Sequence, residues 1–367
     1  MKFTVNTKPL NSALAIAIVD SNVSKYYQRS TLVQLTMSRD ALRINTEANS
    51  IITEVSVKGC GDDEGSILID ALLFKKLIST ITATQLDLSF DSTCVTVTTG
   101  SGSYNLPKML DSSEAQLNRP VALDQSDIDN GQDISKEDWK FIKSNQMYAK
   151  AESEEFPVYM YVFAGENGDI LVGDFTNSIF THSTCNVIDE NCLISDSIVN
   201  LFNSVPDGSI ITKKDGNYVI YAKTDAFQYV SAFTPKYESD EFGTYNADAI
   251  ISMLSTFDKD HITVKASDIT NILNQVQLLS KRITMLHLSV GADYIEFSDS
   301  NMKSKVQSDI TQNTKYSINM NPVTLKNIIS HCPDEKIDIY PSFDEDGNAV
   351  SIIITSGKLT VVAAGVE

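Results

Sequence analysis

Four histidines and five cysteines are the residues of this 367-residue chain with most scope for metal binding or nucleophilic chemistry. A zinc site draws such residues close together in short spacings. Here His182, His261, His287 and His331 stand far apart, and no Cys-x-x-Cys occurs. Cys185 and Cys192 are seven apart without histidine support for a site, and His331-Cys332 sits at a predicted helix end just before Pro333, a place for capping rather than catalysis. Asp127, Asp129 and Gly131 begin like a calcium loop, but the glycine falls one position early and no bidentate Glu closes the loop. An acidic linker accounts for them better. The chain also lacks a Gly-Lys-Ser/Thr phosphate loop, a nucleophile elbow and a dinucleotide glycine fingerprint. The expectation is a protein that is not an enzyme and needs no cofactor or metal.

The apolar positions that must build the scaffold recur. Three segments each show a helix with adjacent apolar anchors and then a strand: Phe74, Leu77, Ile78 and Leu86; Ile198, Leu201, Phe202 and Ile210; Leu325, Ile328, Ile329 and Ile337. Anchor to strand is nine residues in each (86−77, 210−201, 337−328), and the copies are 124 and 127 residues apart (201−77, 328−201). Such a period marks a repeat of roughly 120 residues. A hairpin partner follows at Val95-Thr96-Val97, Val219-Ile220-Tyr221 and Ile352-Ile353-Ile354. The last is delayed by Asp344-Glu345-Asp346-Gly347-Asn348, whose Asp-Gly is a hairpin-turn signal. A further strand follows at Tyr104-Asn105-Leu106, Tyr229-Val230-Ser231 and Thr360-Val361-Val362. Upstream, Val5, Leu10 and Leu14 match Ile134, Trp139 and Ile142, then Val264, Ile269 and Leu273, each set a strand end feeding a helix. Each unit therefore reads as two helices and about eight short strands, and looks internally duplicated.

Composition fits this picture. At 42% hydrophobic and 8% aromatic the chain has apolar surface for several cores. It has no long apolar run for a membrane span, and its first residues lack a signal peptide's apolar stretch. Cys60, Cys94, Cys185, Cys192 and Cys332 are odd in number and scattered, as reduced thiols of a cytoplasmic protein would be. Polar stretches at 110–133 and 234–260 separate the units, giving expected domains 1–115, 120–235 and 245–367. The second stretch carries a short amphipathic helix with Ile250, Ile251, Leu254 and Phe257 on one face, and the sequence assigns it no role.

A net charge of −19 argues against simple adhesion to nucleic acid. Yet Lys136, Lys140, Lys143 and Lys150 fall on one face of a predicted helix, while Trp139, Ile142 and Ala149 turn away. Lys8, Lys25 and Arg29 flank the first helix of unit one, and Lys75 and Lys76 lie on its second. Lys281 and Arg282 end the first helix of unit three, and Lys326 is on its second. Acidic residues gather in loops and connectors instead. Lysines on a helix can be merely solvated. Basic helices with acidic loops in three units point instead to a helical surface facing a polyanion.

The triple repeat, its length and the opening Met1-Lys2-Phe3-Thr4-Val5 resemble the bacterial DNA polymerase III β sliding clamp over essentially the whole chain. The resemblance implies an α+β fold: three tandem clamp-like domains, each with two helices packed on antiparallel sheets, forming part of a closed ring. It implies a head-to-tail homodimer around double-stranded DNA, tethering a DNA polymerase and its clamp loader by short peptide motifs. The dimer positions read Tyr104 and Leu106 on the last strand of domain one, and Leu278 and Leu279 on the first helix of domain three. An aromatic-leucine strand is equally ordinary core. The partner-peptide pocket would fall on Pro157, Asp174, Thr176, Asn177, Ile179, Val361 and Ala363. Here the chain departs from the family: Asp174-Phe175-Thr176-Asn177-Ser178-Ile179 replaces Thr-Asp-Gly-x-Arg-Leu, and Thr234-Pro235-Lys236-Tyr237 stands for Arg-Phe-Pro-Asp-Tyr. A bacteriophage version with its own polymerase would fit those departures. The rival readings are a rod of structural repeats, as in a virion component or scaffold, and a clamp-like module that binds only proteins.

Overall fold

The computed structural model describes residues 1–18, 32–48, 51–109, 116–136, 142, 161–174, 179–184, 188, 190–234, 246–255, 260–279, 285–299, 302–308 and 313–366. Repeat one runs β1 (Lys2–Asn6), α1 (Thr7–Ala17), β2 (Leu32–Met37), β3 (Ala41–Ala48) and β4 (Ile51–Gly61). The same order then returns as β5 (Gly65–Asp70), α2 (Ala71–Thr80), β6 (Gln85–Phe90), β7 (Cys94–Thr99) and β8 (Gly102–Pro107). A five-residue helix, α3 (Gln125–Asp129), precedes repeat two. Repeat two has β9 (Gln132–Asp133), β10 (Val162–Ala164), β11 (Asp169–Asp174) and β12 (Ile179–Thr184). Its second half is β13 (Cys192–Ile194), α4 (Asp196–Ser204), β14 (Ile210–Lys214), β15 (Asn217–Lys223) and β16 (Phe227–Phe233). Helix α5 (Ala247–Ser255) leads to repeat three: β17 (Ile262–Lys265), α6 (Ala266–Leu279), β18 (Leu286–Val290), β19 (Tyr294–Ser298) and β20 (Lys303–Gln307). It ends with β21 (Tyr316–Met320), α7 (Pro322–Ser330), β22 (Lys336–Phe343), β23 (Ala349–Ser356) and β24 (Leu359–Ala364). Strand, helix and three strands thus occur twice in repeats one and three, the internal duplication that the sequence suggested.

Local chemistry fixes these elements. Asp70 caps α2 by accepting from the Leu73 N–H at 2.7 Å. Ser195 does the same for α4, and Asn321 for α7 with Pro322 in the first turn. The caps also correct the arithmetic of the repeat. Phe74 and Leu325 lie four residues past their caps (74−70, 325−321), but the residue four past Ser195 is Val199, not Ile198. Strand register agrees: Val5 opposes Leu86 and Val264 opposes Ile337, whereas Ile210 opposes Asp133 rather than Ile134. Cap to strand start is fifteen residues in all three repeats (85−70, 210−195, 336−321), so in repeat two the sequence alignment is shifted by one residue along both helix and strand. Of the apolar positions, Leu10, Leu14, Phe74, Ile78, Phe202, Leu273 and Ile328 are buried, as is Ile142, while Leu77, Ile134 and Ile210 are half-buried.

The chain forms two compact units, Met1–Ser135 with Ser195–Lys236, and Lys136–Ile194 with Tyr237–Glu367. Neither coincides with an expected domain, and the middle domain is shared between them. The reason is that the sheets cross the repeat boundaries. In the first unit β16 pairs antiparallel with β4 from Phe227↔Val57 to Phe233↔Ile51, inside a 12-stranded sheet. There Thr53 and Ser231 join hydroxyls at 2.8 Å within the core. In the second unit β12 pairs antiparallel with β24 from Ile179↔Ala363 to His182↔Thr360, inside an 8-stranded sheet. A separate 4-stranded sheet there has the order β20-β19-β18-β21.

The helix without an assigned role finds one as cover. The buried Ile250 and Leu254 of α5 pack on Phe163, Leu171, Leu193, Ile353 and Val362, with Phe180 and Tyr340 beside them. Phe257 lies outside the described residues. The packing removes a contiguous apolar face of the 8-stranded sheet from water, which at about 25 cal/mol per Å² is the main term holding a short helix down.

Candidate nucleic-acid interface and docking surfaces

The basic side chains on the described helices differ in what they touch. Lys8 on α1 and Lys76 on α2 are exposed, and so is Lys136. Lys75 is half-buried, and its ammonium donates to the Ile18 carbonyl just past the end of α1 at 2.6 Å. Lys326 donates to Gln277 Oε1 of α6 at 2.7 Å. These two occupy the same repeat position, five past the cap (75−70, 326−321), and each ties the second helix of its repeat to the first. A cation there also suits the negative end of the first helix. Lys25, Arg29, Lys140, Lys143, Lys150, Lys281 and Arg282 lie outside the described residues.

At the sheet ends, Tyr104 of β8 is exposed while Leu106 is buried. Leu278 and Leu279 at the end of α6 are 82% and 62% exposed. The buried stripe of α6 is Ile269, Ile272, Leu273 and Val276, and the two leucines fall outside it.

For the expected peptide pocket, Pro157, Thr176 and Asn177 lie outside the described residues, and Asp174 closes β11. Ile179, Val361 and Ala363 are brought together by the β12·β24 pairing, but their side chains are buried. A cavity of about 330 Å³ opens immediately beyond them, lined by His287, Ser317, Asn319, Val350, Gly365 and Val366 among others. Val350 and Val366 are exposed apolar groups there. A Cβ on Gly365 would meet Ile318 at 3.0 Å, so this glycine lets the C-terminal backbone lie close. Sequence reasoning missed the cavity, and this glycine after the last strand was the only signal of it.

Among the described residues, the groups first considered for chemistry stay apart; Cys185 lies outside the described residues. His182 Nε2 meets Asp169 at 2.7 Å, His287 bonds Asn319 at 2.9 Å, and His261 stacks on Tyr340. The backbone N–H of His331 donates to Ile328 at the end of α7, as a helix cap does. Among the described residues, no group of three His, Cys, Asp or Glu could hold a metal ion. Asp127 and Asp124 instead form a capping box on α3, and the Lys214 ammonium contacts both. The Ser126 hydroxyl and Asp127 N–H, with Lys214, hold the Asp124 carboxyl down to about 2. Burial, with Asp334 nearby, pushes the Cys332 thiol up to about 12, far from a thiolate at neutral pH. Alkylation at about pH 8 should therefore modify the exposed Cys60 and spare Cys332, as peptide mass spectrometry would show.

A chain of tandem β-α-β3 half-repeats, with sheets running through the repeat boundaries, has the architecture of DNA clamps. The bacterial β clamps share it end to end. The sliding clamp of Bacillus subtilis superposes with a TM-score of 0.74 at 15% identity, covering 100% of this chain and 99% of its own. The DNA polymerase III β subunit of Thermotoga maritima gives 0.75 at 12% identity, with 100% and 99% covered. The Helicobacter pylori β clamp bound to a DNA ligase peptide gives 0.74 at 10%, with 100% of both chains covered. No family model matches the chain, and no curated protein matches it in sequence. The shared property is the fold. No helix among the described residues is long and apolar enough to cross a membrane.

Proposed function

We propose that this chain is a non-catalytic sliding clamp, a head-to-tail homodimeric ring that encircles duplex DNA in the cytoplasm. It would tether a polymerase and a clamp loader through short peptides. The observation that carries this reading is the end-to-end match of a three-repeat fold to β clamps, with neither chain leaving a domain over. Retention would be topological. The protein need not grip phosphates tightly, so lysines acting at longer range on an otherwise acidic body suffice.

The sheets suggest how the ring closes. The fourth strand of repeat one (β4) pairs with the last strand of repeat two (β16), and the fourth of repeat two (β12) pairs with the last of repeat three (β24). The same rule leaves the fourth strand of repeat three (β20) and the last of repeat one (β8), and both stand at the ends of their sheets. Unpaired edges invite partners. A second copy would supply β8 to β20 and β20 to β8, the heterologous contact that closes after two copies. The cavity beside Gly365 and Val366 is the surface we assign to partner peptides, a role consistent with the ligase peptide carried by the Helicobacter pylori clamp.

Light scattering with negative-stain microscopy on one sample tests the whole reading. The expected result is a mass near twice 40.4 kDa and a particle with a central hole wide enough for a duplex. A monomeric rod with free ends would overturn it in favour of a structural repeat protein.

A further inference from the structure

Each connector between repeats lies across the seam that joins those same two repeats. In the first, Leu117 N–H donates to Gln34 Oε1 at 2.9 Å. The Asn118 N–H and Nδ2 donate to Glu47 at 2.9 and 2.8 Å, and Asn45 Nδ2 returns a bond to the Asn118 carbonyl at 2.8 Å. Arg119 then forks onto Glu54 of β4 at 2.7 and 2.9 Å. Val121 and Leu123 border one cavity with Tyr221 of β15 and Gln228 and Val230 of β16, and Lys214 of β14 takes up Asp124 and Asp127. The segment thus steps from β2 and β3 over the β4·β16 seam to β14. The second connector does the same with apolar chemistry. Helix α5 touches both β12 and β24, and its core partners Leu171 on β11 and Ile353 on β23 flank that seam on either side.

We propose that the two connectors are seam braces, one polar and one apolar. They hold the β4·β16 and β12·β24 seams together, whereas no described connector crosses the sheet ends β8 and β20. Edge β8 is exposed at every residue but Leu106. On β20, Lys303 and Lys305 are drawn back onto Glu296 of β19, at 2.8 and 3.3 Å, rather than onto a connector. The consequence for opening rests on the ring reading, but the bracing itself does not.

The polar brace is the sharper test, because its charged anchors can be altered without removing apolar core side chains. Amide hydrogen exchange on the full chain would compare the parent with the Glu47→Ala, Glu54→Ala variant. A brace predicts roughly tenfold faster exchange in β4 and β16, with the β18–β21 sheet unchanged. The reversed pair, Glu54→Arg with Arg119→Glu, should restore protection. Leu254→Ala in α5 should likewise accelerate exchange in β12 and β24 before other strands. Unchanged exchange at β4 and β16, or equal acceleration in every sheet, would overturn the proposal. Exchange is read strand by strand, so it stands apart from any result on mass or ring shape.

Discussion

The Leu278→Ala, Leu279→Lys chain is expected to sediment near 40.4 kDa, and the parent, on the proposed ring, near twice that mass. Leu278 is the most exposed large apolar side chain among the described residues, and Leu279 follows it at the same helix end. Both lie at the end of α6, whose own packing uses Ile269, Ile272, Leu273 and Val276. Exposure of two adjacent leucines at a helix end is what the proposed closing contact would cover. Fully burying one leucine contributes about 1.5–3 kcal/mol, so losing two removes about 3–6 kcal/mol from each of the ring's two contacts. That corresponds to roughly a hundredfold to ten-thousandfold weakening of each contact. The introduced lysine adds an ammonium that the partner's surface would have to desolvate. The fold itself should be untouched, since neither side chain is in the core, and circular dichroism should overlay that of the parent. A dimer that persists in this variant would place the closing contact elsewhere.

How far the sequence could be read depends on which forces act locally. The alternation of buried residues in β6, β7 and β22, and the capping residues Asp70, Ser195 and Asn321, are written in neighbouring positions. The delayed hairpin of repeat three is equally local: Gly347 takes φ 81°, and the Asp344 carboxylate accepts from the Asp346 and Asn348 N–H groups. The seams are different. Strands β4 and β12 alternate like any others, and backbone pairing carries no residue code for which distant strand arrives at an edge. The apolar face of α5 was visible at Ile250 and Leu254, but not that it would land on β11, β12, β23 and β24. For the same reason the charges of Lys75 and Lys326 could be read, but not the carbonyl and amide that engage them.

That distinction shapes the charge-reversal experiment. Changing Lys136, Lys140 and Lys143 to Glu alters charge by two units at each site, from −19 to −25 (−19 − 6). The substitutions should leave oligomerisation intact, because the apolar residues of that helix pattern, Ile142 among them, are unchanged and Ile142 is fully buried. Stimulation of the cognate polymerase should be abolished. Each phosphate neutralised by a cation steepens the salt dependence of DNA attraction by about 0.9 in log–log slope, so removing three cations should flatten it by up to about 2.7. The added carboxylates would then repel the duplex. Lys75→Glu and Lys326→Glu make the contrasting pair. Their ammonium groups hold Ile18 and Gln277, so those variants should lose thermal stability together with any effect on DNA. Processivity unchanged in the triple variant, with the fold intact, would remove the DNA-facing role from that helix and leave the exposed Lys8 and Lys76 as the described helix cations to test next.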